Sequence, residues 1–159
     1  YYGSGMNFKD MCYLKHSDVK EDRIEFLRSK TVEKSDKLIS IPINEFIAKM
    51  LKKHKGGGIY AFNFVDHKLE SEVRWRRYMT VLRNHTGHWK NIAKELGITE
   101  EISYYWGRHS FATKSRDDGY DISQISQALG HTNLATREAY FNKFPNDKMK
   151  GLQDNAGKF

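Results

Sequence analysis

Arg108, His131 and Tyr140 are the side chains of this chain whose types and order could do chemistry together. Arg108 opens the run Arg108-His109-Ser110-Phe111-Ala112-Thr113, and His131 closes Leu129-Gly130-His131. Tyr140 lies in the stretch of helical pattern that follows. A guanidinium is a fixed cation that forks onto phosphate oxygens. An imidazole donates a hydrogen bond or moves a proton near neutral pH. A phenol attacks as a nucleophile once something helps it lose its proton. Phosphodiester transfer needs that set, because much of its rate comes from positive charge placed in advance around the developing phosphorane. Each residue also has a bland reading. Arg108 could cap or coat a helix, His131 could close a helix C-terminus, and Tyr140 could be core.

Those side chains need elements to hold them. The spacing of Phe8, Met11, Cys12 and Leu14 predicts a first helix over 8–15. Arg23–Leu27 alternates as a strand and Leu38–Ile41 as a second, which together predict an antiparallel hairpin. Asn44 is placed to cap a helix whose apolar face is Phe46, Ile47, Met50 and Leu51. Ile59–Phe64 reads as a strand or a buried extended segment. A long helical region covers about 71–96, with an apolar face of Trp75, Tyr78, Val81, Leu82, Trp89, Ile92, Ala93 and Leu96. Thr86-Gly87 is expected to split it into two helices, and Gly97 to cap its end. Further helices are expected over 104–117, 122–129 and 135–141, with Asp121 capping the middle one. The fold class is therefore α+β: mostly α-helical, with a small antiparallel sheet near the N-terminal third.

At 159 residues the chain can build one domain with its own core. Its aromatic content, 13%, argues against disorder. Lys and Arg outnumber Asp and Glu by 27 to 20 and the pI is near 9.4, which suits a polyanionic partner. Cys12 is the only cysteine, so no internal disulfide can form. No apolar run is long enough to span a bilayer, and no signal-peptide pattern opens the chain. A cytoplasmic, bacterial, nucleoid-associated location is the expectation. The chain opens on Tyr1, with its first methionine at Met6, and reads as an excised fragment.

The order RHSFAT, then LGH, then Tyr140 resembles the active-site signature of the tyrosine recombinases, the phage-integrase-like enzymes that cut and rejoin DNA. The likeness extends upstream. Gly5-Met6-Asn7-Phe8-Lys9-Asp10 followed by Leu14 is similar to the family's opening motif, and Arg28-Ser29-Lys30-Thr31 to its β-hairpin segment. The chain is similar to integrases of mobile elements in gut anaerobes. The resemblance implies a single catalytic domain over 1–159, with a core of about 5–142 and a tail of 143–159, and without the N-terminal domain that clamps the far face of DNA. It implies that Tyr140 forms a covalent 3′-phosphotyrosine link. Lys30 would protonate the departing 5′ oxygen, while Arg108, His131 and Tyr105 stabilise the transition state. Double-stranded DNA is the implied partner, and the assembly a tetramer exchanging C-terminal tails. No cofactor, no metal and no membrane is implied.

Two positions depart from the family pattern. Asn7 stands where a first catalytic arginine is usual, and Tyr105 stands where histidine is usual three residues before Arg108. Asp10 is expected to orient its neighbours. Arg74, Arg76, Arg77 and Arg83 could track a DNA backbone or coat a solvated helix. The remaining histidines share no ligand spacing, and Gly56-Gly57-Gly58 lacks the Lys-Ser/Thr of a phosphate-binding loop. The alternatives are a catalytically inactive DNA-binding module of the same fold, which the uncharged Asn7 favours, and a type IB topoisomerase.

Overall fold

Alternation and capping decide most of the architecture. The computed structural model describes residues 3–29 and 38–130. Its elements run α1 (Phe8–Cys12), β1 (Arg23–Leu27), β2 (Leu38–Pro42), α2 (Glu45–Lys53), α3 (Ser71–Glu95), α4 (Trp106–Asp117) and α5 (Ile122–Ala128), with a short 3₁₀ turn at His16–Asp18. The strands pair antiparallel, with Ile24 opposite Ile41 and Phe26 opposite Ile39. Those four side chains point to one face and are buried with Leu14, Ile47, Ala61 and Phe62. Each fully buried Ile or Phe contributes about 1.5–3 kcal/mol. The period-two pattern therefore fixes the register, because a one-residue slip would expose the whole set. Asn44 Oδ1 accepts from the Ile47 amide at 2.9 Å and starts α2 as expected. Phe46, expected on its inward face, is 45% exposed.

A second core joins α1 to α3. Phe8 and Cys12 pack with Tyr60, Val65 and Tyr78. The first helix ends at Cys12, not Lys15, because the chain beyond is drawn into pairing with the segment around Tyr60. His16 donates its amide to Ile59 O, and the Ala61 amide donates to Leu14 O at 2.7 Å. Within 59–64 only Tyr60, Ala61 and Phe62 are buried, Ile59 is exposed, and isolated bridges tie Tyr60 to Lys15 and Phe62 to Lys55, so the expected strand or buried extended segment is reduced to its middle.

The expected break at Thr86-Gly87 does not occur. α3 runs unbroken for 25 residues. Glycine inside a helix costs about 1 kcal/mol relative to alanine but keeps its N–H, so flanking helix formers can carry it through. Thr86 also satisfies its hydroxyl locally, donating to Leu82 O at 2.9 Å. Of the expected apolar face, Tyr78 and Ala93 are buried, whereas Trp75, Trp89, Ile92 and Leu96 are exposed. Gly97, with φ +67°, ends the helix as expected. α4 begins at Trp106, two residues later than the sequence pattern suggested. The third core, smaller than the others, is Ala112, Ile125 and Leu129 between α4 and α5. Asp121 caps α5 by accepting from the Ser123 amide at 2.7 Å. Among the described residues no helix is long and apolar enough to cross a membrane.

Candidate active site

The site is built around a turn that only glycine can make. Gly5 holds φ +68° and follows Ser4 at +51°, closing a turn in which the Met6 amide donates to Gly3 O. A Cβ at Gly5 would lie 2.8 Å from Leu129 Cδ2 and 3.2 Å from Arg108 Cγ, so both the dihedral and the space exclude a side chain. This close approach delivers the Gly5 carbonyl to Arg108, whose Nη1 donates to it at 2.8 Å. Arg108 Nη2 donates to Leu129 O. The guanidinium is 6% exposed. It sits where the opening turn, the start of α4 and the end of α5 meet. Two carbonyls from segments far apart in sequence hold it flat between them.

The hairpin reaches the same place. Asp10, buried on α1, accepts from both the Ser29 amide (2.9 Å) and the Ser29 hydroxyl (2.5 Å) through one oxygen, Oδ1. That contact pins the chain immediately after β1. From β2, Ile39 crosses to Gly130, where φ is +65° and an added Cβ would collide with Ile39 Cδ1. The hairpin therefore seats on the turn that leads into His131. In the same segment Arg28 is buried, at 9% exposure.

The other predicted residues separate into those the fold brings near this point and those it does not. Asn7 caps α1, its Oδ1 accepting from the Lys9 amide at 2.9 Å. Tyr105 precedes α4, 38% exposed, with its ring 5.5 Å from that of His109. Lys30, His131 and Tyr140, and the expected helix over 135–141, lie outside the described residues. The four arginines of α3 divide between two faces. Arg74 Nη1 donates to His67 O at 3.0 Å, and Arg77 lines a cavity of about 400 Å³ with His67 and Gly56–Gly58. Arg76, paired with Glu72, and Arg83 lie two turns apart on another side and are exposed.

Behind the opening turn lies an aromatic wall. Phe8 meets Tyr104 at 4.8 Å, His85 at 5.2 Å and Tyr78 at 6.1 Å between ring centroids. Tyr104 reaches back to Met6 O at 3.5 Å. Burial pushes the Tyr104 phenol well above its ordinary range and the Cys12 thiol up to about 12. Both are structural groups kept neutral. Burial, with His88 nearby, lowers His85.

Known proteins are similar to this chain over most of its length. The phage integrase family matches residues 1–147. The tyrosine recombinase XerA of Thermococcus kodakarensis is 27% identical over 98% of this chain and 52% of its own length. The tyrosine recombinase XerD of Listeria monocytogenes is 28% identical over 87% of the chain and 46% of its own. The chain thus spans about half the length of these curated relatives. Among solved structures, a XerA recombinase superposes with a TM-score of 0.59 at 22% identity, covering 99% of this chain and 55% of the other. The Tn1549 transposon integrase in complex with transposon right end DNA does so with 0.59 at 17%, covering 97% and 56%. At these identities the likeness establishes the fold: a helical body with one small antiparallel sheet.

Proposed function

Because the chain belongs to the phage integrase family, we propose that it is the catalytic domain of a site-specific recombinase that cuts and rejoins double-stranded DNA through Tyr140. The observation that carries the reading is the convergence on Arg108. The opening motif supplies Gly5 O, the RHSFAT helix supplies the guanidinium, and the LGH segment supplies Leu129 O. Three stretches that resemble family motifs separately are one structural unit at this residue.

The chemistry follows from the residue types. The Tyr140 phenolate attacks the scissile phosphorus, the bond to the 5′ oxygen breaks, and Lys30 gives that oxygen a proton. The product is a 3′-phosphotyrosine and a free 5′ hydroxyl. Arg108 and His131 stabilise charge on the nonbridging oxygens, and Tyr105, exposed at the mouth of α4, adds a phenolic donor. A 5′ hydroxyl from a partner strand reverses the step. One phosphoester replaces another throughout, so neither ATP nor a metal ion is needed to balance it. Tetramer formation on DNA through the tail, and a clamping domain ahead of this one, complete the proposal.

One observation favours the rival reading of an inactive DNA-binding module. Asn7, at the first-arginine position, is uncharged and occupied as a helix cap. A nicked suicide DNA substrate separates the two. Accumulation of a covalent protein–DNA adduct, abolished in Tyr140→Phe, supports the enzyme; the absence of adduct under all conditions supports the module.

A further inference from the structure

We infer that Arg28 supplies the second cation of this active site, in place of the charge that Asn7 cannot provide. The inference rests on the strand-transfer reading above. It begins with phase. Ile24 and Phe26 are the buried residues of β1, and Arg28 continues the same alternation just past the strand end, so its side chain is directed inward. An arginine at an inward position requires a partner. Among the described residues it has none: Nε is fully buried without a hydrogen-bond partner, and none of the ion pairs includes Arg28. Asp10, the buried carboxylate of the neighbouring helix, has its Oδ1 engaged by Ser29. A guanidinium held in low dielectric without a counter-charge is unfavourable, and an anion bound beside it would relieve that cost.

Its position says which anion. Arg28 Cδ lies 4.0 Å from where a Cβ on Gly130 would be. Gly130 follows Leu129, whose carbonyl holds Arg108, and precedes His131. Arg28 and Arg108 therefore approach the same two-residue turn from different elements, one from the hairpin and one from α4. Two guanidinium groups beside a turn that leads into an imidazole suit a tetrahedral monoanion with two nonbridging oxygens, which is a DNA phosphodiester.

Substrate chemistry tests this. A nicked substrate is made with the scissile phosphate either intact or replaced by a methylphosphonate, which removes the negative charge. Adduct formation is timed for the full-length protein and its Arg28→Met and Arg28→Lys variants. On the phosphate, Arg28→Met is expected to slow adduct formation about 100-fold. On the methylphosphonate, that loss is expected to shrink to a few-fold, because no charge remains to neutralise. Arg28→Lys, which keeps a cation and little of the risk to folding, is expected to recover part of the phosphate rate. Equal losses on both substrates would mean that Arg28 serves the fold, for example by pairing with a carboxylate of the chain itself, and would overturn the inference; so would an unchanged rate on the phosphate. A wild-type protein that forms no adduct on either substrate fails differently: it removes the strand-transfer reading, and this one with it.

Discussion

The junction around Arg108 and the long helix α3 obey opposite rules. At the junction, contacts are close and specific: Gly5 O and Leu129 O accept from the buried Arg108, and the buried Asp10 accepts from Ser29. On α3, 25 residues long, only Tyr78 and Ala93 are buried, and Trp75, Trp89 and Ile92 are exposed, as are Arg76 and Arg83. One region spends its residues on holding a cation still. The other presents a basic and aromatic surface from a rigid rod. Substitutions should therefore couple stability to activity at the junction, and separate them on the helix.

Arg108→Ala should have the largest effect. It removes the cation and leaves two buried carbonyls unpaired, so adduct formation should fall by at least about 10²-fold and stability by about 3 kcal/mol. Denaturant titration beside the adduct assay reads both. Loss of activity with full stability would break the coupling. Gly5→Ala comes next, forcing a Cβ to within 2.8 Å of Leu129 Cδ2 in a left-handed backbone, with an expected loss of about 1–3 kcal/mol. A variant as stable as wild type would show that the turn is not tight. On the helix, Arg76→Ala with Arg83→Ala should leave stability within about 0.5 kcal/mol while lowering the salt dependence of DNA binding, log K against log salt, by roughly 2. An unchanged slope would assign these arginines to solvent.

The border between the two regions is where pH should act, with the smallest effect. His85 of α3 packs on Phe8 and Tyr104, and burial holds its pKa below the ordinary 6.5, with His88 adding repulsion. As pH falls, the unfolded chain takes up this proton before the folded one does. The resulting loss of stability is absent above about pH 6.5 and grows below it. Melting temperature followed down to about pH 5 should decline less steeply in His85→Phe than in wild type. Parallel declines would acquit the histidine.

The difference between the regions also explains what could be read from sequence. Local rules gave the hairpin, the Asn44 and Asp121 caps and the Gly97 stop, because alternation and capping act within a few residues. They misplaced the end of α1, which is set by pairing with Ile59–Ala61, and they broke α3 at a glycine that the helix tolerates. At the site, Arg108 was legible as a residue type in a motif. Its two carbonyl partners were not, since a backbone oxygen carries no sequence signal and Gly5 and Leu129 are distant in the chain. Arg28 was legible in principle. It falls on the inward phase set by Ile24 and Phe26, whereas the family resemblance points two residues further on, to Lys30.

The proposed function stands on a phenol at position 140 becoming bonded to DNA. Peptide mapping by mass spectrometry of protein trapped on a nicked substrate measures that bond. A nucleotide remnant is expected on the peptide containing Tyr140, and none in Arg108→Ala under the same exposure. A remnant on any other residue, or trapped protein without a covalent remnant, would contradict it.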